Sequence, residues 1–177
     1  MYSPTHFDET RPAMLRGLIS QHPLGTVVVN NADGLVACHI PFELGPATPE
    51  APFGVLRAHV ARANPLWRHA GEALVVFQGP SAYVSPSLYE EKPVSGKVVP
   101  TWNYAAVHAH GELRAVEDAA WLMALLARVT DRHEASRAAP WSVDDAPREW
   151  LDMIMQAIVG IEIPVSRMQG TWKMSQN

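Results

Sequence analysis

The sequence predicts a mainly β fold, a small antiparallel β-barrel with peripheral helices, and three observations point there. Short β-branched stretches recur through the first two thirds of the chain, turn residues separate them, and the two longest stretches of helical period come late. Closing such a sheet into a barrel would leave no unpaired edge. Of the 177 residues 47% are apolar, enough for one sizeable core, and 1–177 reads as a single domain.

Taken in order, Asp8 or Thr10 caps a helix whose apolar face is Leu15, Leu18 and Ile19, and Pro23 ends it. Leu24–Asn30 and Leu35–Phe42 flank Asn31-Ala-Asp-Gly34, the turn chemistry of a hairpin, and Pro41 puts the second strand's end at an edge or bulge. Three prolines between Gly45 and Pro52 remove ladder donors, so this stretch is a surface loop. Phe53–Val60 alternates as a strand, Asn64 stands as N-cap before Pro65 at the start of a short helical turn, and Ala73–Phe77 is a buried strand that breaks at Gly79-Pro80. A third strand pair follows. Trp121, Leu122, Leu125, Leu126 and Val129 give a helix from Glu117 to about Ser136; Trp150, Leu151, Ile154 and Ile158 give another from Ser142 to about Val159, with Asp145 completing a capping box on Ser142. Gly160–Val165 returns to strand.

Composition excludes several function classes. The balance of 14 Lys and Arg against 18 Asp and Glu gives a net charge of -4, the wrong sign for a domain that holds nucleic acid through its phosphates. Cys38 is the single cysteine, so an internal disulfide and a cysteine-built zinc site are both ruled out, and the residue reads as a small buried hydrophobe. No apolar run reaches eighteen residues, and Met1-Tyr-Ser-Pro-Thr-His-Phe-Asp8 lacks basic and apolar leader segments; the expectation is a cytoplasmic protein with no membrane association. No P-loop, Rossmann fingerprint or Ser-His-Asp arrangement stands out.

The polar residues that remain gather in a few places. Val99-Pro-Thr-Trp-Asn-Tyr-Ala-Ala-Val-His-Ala-His-Gly111 reads as a strand with Thr101 and Asn103 alternating against Trp102 and Tyr104, and with His108 and His110 on one face. It suits a pocket in which hydroxyls and an amide bond a flat heterocycle under aromatic cover, a polar strand face that meets water, or, less readily, a His-x-His metal pair. Arg62 and Asn64 flank a strand-to-helix junction at which helix-end amides and a guanidinium can hold a phosphate; a surface arginine without a ligand fits the local residues equally well. Ser81, Tyr83 and Ser85 share a strand face, as a hydroxyl-lined site or as turn chemistry about Gly79-Pro80 and Pro86. Trp172-Lys-Met-Ser-Gln-Asn177 keeps an indole close to the end of the chain, which indicates that something ties this segment down.

Met1-Tyr-Ser-Pro-Thr-His-Phe7, His59-Val-Ala-Arg-Ala-Asn-Pro65, Gly79-Pro-Ser-Ala-Tyr-Val-Ser-Pro86, Val99-Pro-Thr-Trp-Asn-Tyr104, Val107-His-Ala-His-Gly111, Val159-Gly-Ile-Glu-Ile163 and Trp172–Asn177 occur in one order, and on them the chain resembles the PaiB-like FMN-binding negative transcriptional regulators nearly end to end. The resemblance implies an FMN-binding split β-barrel with peripheral helices, akin to pyridoxamine-phosphate oxidases and flavin reductases, and a homodimer with FMN at the subunit interface. It implies Arg62 and Asn64 on the phosphate side, Ser85, Thr101 and Asn103 as hydrogen-bonding pocket residues, and Lys173 and Gln176 from the terminal strand, across the dimer. Tyr2, His6 and Phe7 would close the site. Arg57, Leu88 and Thr171 depart from the family pattern: Thr171 removes a lysine before Trp172, and Arg57 adds a cation ahead of His59.

Three functions follow from that resemblance. The first is an FMN-binding negative regulator of transcription of stationary-phase, sporulation or protease genes, acting either by direct DNA binding, for which neither a helix-turn-helix nor a basic face is visible, or indirectly through a metabolite or a partner protein. The second is an FMN-dependent oxidoreductase in which the flavin does the electron chemistry and no side chain needs to be a nucleophile. The third is a haem or metal protein with histidine ligands.

Overall fold

In the computed structural model, which describes residues 1–32 and 34–176, eight strands make one antiparallel sheet. They are β1 (Asp8–Glu9), β2 (Leu24–Asn31), β3 (Gly34–Pro41), β4 (Glu43–Leu44), β5 (Val55–Ala61), β6 (Gly71–Val84), β7 (Thr101–Val116) and β8 (Ile158–Lys173). The α-helices are α1 (Pro12–Gln21), α2 (Ala119–Glu134) and α3 (Arg148–Gln156).

The hydrogen-bonded path runs β3-β2-β6-β7-β8-β5-β4, with β1 added beside β8. It does not return on itself, so the closure expected of a barrel is not made among the described residues. The cause lies in β8, which pairs with β7 along one side but divides the other between β5, at Ile158–Pro164, and β1, at Gly170 and Thr171. The ends of the path are then β3, terminated by Pro41, and the two-residue β4, followed by the proline-rich loop. Asn31 pairs with Gly34 across the expected hairpin turn, whose Asp33 lies outside the described residues.

The core fills the inside of this curled sheet. Val27, Val75, Phe77, Val107, Ile161, Ile163 and Val165 are fully buried, and α1 lays Leu15, Leu18 and Ile19 onto them, the face that the sequence spacing predicts. Gly111 sits at the β7–β8 register shift; a Cβ there would strike the Pro164 carbonyl, so glycine permits the bend that carries β7 from one half of the sheet to the other.

Several boundaries differ from the sequence reading. Neither Asp8 nor Thr10 caps α1: Pro12 occupies its first turn after Arg11, and the Glu9 carboxylate accepts the Arg11 amide at 2.9 Å instead. β6 continues through Gly79-Pro80, because a bulge between Gln78 and Ser81 absorbs the residue that cannot donate. The helix expected from Ser142 to Val159 is a 3₁₀ turn, Val143–Asp145, followed by α3; Pro147 separates them, and from Ile158 the chain is already in β8. Asp145 does accept the Ser142 amide, at 2.8 Å, as the capping box requires.

Candidate functional site

A groove of about 440 Å³ opens where the adjoining ends of β7 and β8 meet the 3₁₀ turn Thr5–Phe7 and the loop 89–100. Lys173, the last residue of β8, donates from Nζ to Thr101 Oγ1 at 2.7 Å and lies 6.0 Å from the centre of the Phe7 ring. Ser175, turned into the left-handed region with φ 58°, donates to Asn103 Oδ1 at 2.9 Å, and its hydroxyl is 3.3 Å from that of Tyr89. Gln176 ties the segment down: its amide nitrogen donates to the carbonyls of His6 and Trp172, and its Oε1 accepts the Met174 amide. Thr101, Asn103, Lys173 and Gln176 therefore lie together, and His6 and Phe7 form one wall of the groove.

Lys97 and Tyr89 also line it. The sequence alone singles out neither. Lys97 stands only four residues before Thr101, but a loop lysine carries no periodicity that would separate a pocket cation from a solvated one. Ser85 is next to the groove through the Val84–Thr101 pair, with its hydroxyl accepting the Ser87 amide at 3.3 Å as cap of the turn Pro86–Leu88.

Arg62 and Asn64 lie elsewhere. Ala61 pairs with Ile158, the end of β8 opposite Lys173, so within one chain this corner is remote from the groove. Arg62 donates to Glu117 Oε2 at 2.8 Å and to the Gln156 carbonyl at 3.0 Å, and Asn64 Oδ1 accepts the Leu66 amide at 2.9 Å, making Asn64 the expected cap of the turn Pro65–Arg68. The Arg62–Glu117 pair is about half exposed, so it contributes on the order of 0–1 kcal/mol and is easily exchanged for another anion.

The outer face of the sheet carries two cross-strand rows. Thr26, Val76, His108 and Gln169 make one; Val28, Leu74, His110 and Arg167 make the other. Burial holds the imidazoles of His108 and His110 below their ordinary pKa, and Arg167, whose Nη2 is 3.0 Å from His110 Nδ1, acts in the same direction. His59, on β5, is lowered by burial alone. Among the described residues no three His, Cys, Asp or Glu side chains converge as metal ligands.

Two ammonium groups and several hydroxyls, with no carboxylate on the wall, make a donor set suited to a phosphorylated, ring-containing ligand, and the groove is of small-molecule size. Residues 1–167 match a family described as "Putative FMN-binding domain". The chain is 35% identical to an uncharacterised protein of Emericella nidulans, over 99% of this chain and 84% of that one. It is 33% identical to the protease synthase and sporulation protein PAI 2 of Bacillus subtilis, over 100% of this chain and 83% of the relative. The FAD and haem binding protein of Mycobacterium smegmatis shares the fold with a TM-score of 0.66 at 18% identity, over 94% of this chain and 73% of that one. On the family match and these relatives, the chain belongs to this FMN-binding, split-barrel family, and its cofactor is a flavin.

Proposed function

We propose that the chain is an FMN-binding homodimer that acts as a PaiB-like negative regulator of transcription, with the phosphate of FMN held in the Lys173 groove. The observation that carries the placement is electrostatic. Lys97 and Lys173 face one groove, and neither forms an ion pair among the described residues. Two uncompensated cations favour a dianionic ligand. Thr101, Asn103 and Ser85 then supply hydrogen bonds to the cofactor, and Gln176 keeps the terminal segment over it. When bound, the flavin supplies the capacity for one- or two-electron transfer.

The dimer is supported by what the outer face leaves bare. Beside the Val28, Leu74 and Val76 rows, Tyr83 and Trp102 stack edge to face with centroids 6.0 Å apart while 55% and 57% exposed, and Val99 and Leu88 are more open still. Exposed aromatic and aliphatic surface of this kind is the usual core of a two-fold contact. In such a dimer the Arg62–Asn64 corner of one protomer completes the groove of the other.

Regulation through the flavin or a partner protein fits better than direct grip on DNA. Residues 135–147 separate α2 from α3, far more than the short turn of a helix-turn-helix, and the net charge is -4. The name of the Bacillus relative places it in protease production and sporulation, and genes of that kind are the targets proposed for this chain.

Fluorescence titration with FMN tests the reading. Saturable binding is expected to weaken about 10- to 100-fold in Lys173→Ala, the range for losing a hydrogen bond to a charged group. Comparable loss in Arg62→Ala, with a sedimentation mass twice the 19.5 kDa of one chain, is expected of a site shared across a dimer. Unaltered affinity in a folded Lys173→Ala protein removes the groove as the phosphate site. Steady oxidation of reduced nicotinamide by the FMN-loaded protein moves the assignment to an FMN-dependent oxidoreductase.

A further inference from the structure

Four arginines surround the seam between α1, α2 and the β4–β5 edge, and only two carboxylates answer them. Arg128 grips both oxygens of Glu43, at 2.9 and 2.8 Å, and Arg57 bonds Glu162 at 3.0 Å. Arg16 and Arg132 are left over. Neither has a carboxylate within ion-pair distance among the described residues, and both line the same cavity of about 310 Å³. Arg16 directs Nη1 and Nη2 to the carbonyls of Phe53 and Gly45, and Arg132 directs Nη2 to the carbonyl and hydroxyl of Ser20, so each guanidinium is oriented by oxygen acceptors that carry no full charge. Glu43 does feel Arg132, which helps to hold its carboxyl below the ordinary range, but the Arg128 hydrogen bonds are the larger cause and occupy the carboxylate.

The remaining walls are apolar. Ile19 and Phe42 belong to the core, and Leu44 packs against it. Gly17 lines the cavity from the middle of α1, and a Cβ there would meet nothing within 4 Å, which shows open space against the helix backbone. Two arginines without a carboxylate partner beside an aliphatic and aromatic floor, at the lower end of small-molecule pocket volume, are the features by which a site selects an anionic head with a short apolar body.

We propose that this cavity is a second ligand site, separate from the flavin groove, that binds a small organic carboxylate between Arg16 and Arg132. No residue of one site lines the other. A carboxylate bound there would offset one of the two uncompensated charges and bridge α1 to the last turn of α2.

Calorimetric titration of the FMN-saturated, full-length protein with benzoate, and separately with inorganic phosphate, tests this. Benzoate is expected to saturate with a Kd on the order of a millimolar, weakening as salt is raised. Arg132→Gln should weaken it roughly tenfold or more. Gly17→Leu, which keeps both arginines and fills the open space, should abolish it; near-ultraviolet circular dichroism checks that both variants are folded. Lys173→Ala should leave it unchanged, which separates this site from the lysines of the flavin groove. Phosphate binding without benzoate binding overturns the carboxylate class. Absence of binding, or benzoate binding indifferent to both Arg132→Gln and Gly17→Leu, overturns the site.

Discussion

Gly160 shows how closely one residue can be specified. It lies in β8 beneath the Trp121 ring of α2, where an added Cβ would overlap the indole, and Trp121 is itself fixed by donating Nε1 to Glu162 Oε1 at 3.2 Å. Gly160→Ala must push the indole off that carboxylate, and the cost of overpacking is about 1–3 kcal/mol. Urea unfolding should show a lower midpoint with an unchanged slope; a midpoint at the wild-type value would mean that α2 moves aside freely. The same glutamate explains Arg57. Its charge is neutralised by Glu162, so the departure that adds a cation ahead of His59 becomes part of the α2 docking site. Thr171, another of the departures, is buried against the Met1 sulfur, where a lysine would have to bury its ammonium.

At the scale of the element, α2 depends on its first turn. Asp118 Oδ1 accepts the amides of Ala120 at 2.8 Å and Trp121 at 3.1 Å, while the helix buries only Leu122 and Leu125 completely. A helix with so narrow a buried stripe has little packing to replace a lost cap, and Asp118→Ala should cost about 1 kcal/mol in the same unfolding assay. Full retention of stability would show that packing alone sets the start of α2. α3 makes the opposite point. Its apolar periodicity runs on into Ile158, which is why sequence reasoning extends the helix to Val159, yet Val159 pairs with Val60 and is fully buried in the sheet. A short apolar run satisfies both periods, and only the partner strand decides between them.

For the molecule as a whole, three half-buried histidines set a dependence on pH. His59, His108 and His110 all have folded pKa values below 6.5, chiefly because burial disfavours the cation. Around His110 the Arg167 guanidinium adds to this and the Glu72 carboxylate opposes it; Arg167 and His110 itself act on His108. The unfolded chain therefore binds more protons than the folded one as pH falls through 6.5, and stability present above that value is lost below it. The urea midpoint should fall from about pH 7.5 to about pH 5.5, above the range in which carboxylates protonate, and the fall should be smaller in the double variant His108→Gln, His110→Gln. A flat profile over this interval would assign the three imidazoles equal proton affinity in both states. Burial of the outer face in the proposed dimer would steepen the profile, since it removes the same two imidazoles further from water.

Alternation and spacing within the chain were enough to determine β2, β3 and β5, the apolar face of α1, the Asn64 and Ser142 turns, and the polarity of the Thr101–Asn103 stretch, because each follows from neighbours within a few residues. The tertiary structure alone decided the rest. That β8 divides one side between β5 and β1 and leaves the barrel open, that Lys97 faces the groove of Lys173, that Arg62 lies at the far end of β8 from Thr101, and that Arg16 and Arg132 share one cavity are facts about residues about 40 to 160 positions apart. Local propensity carries no term for such pairs; they are set by which strand completes which ladder and by which charges then remain without a partner.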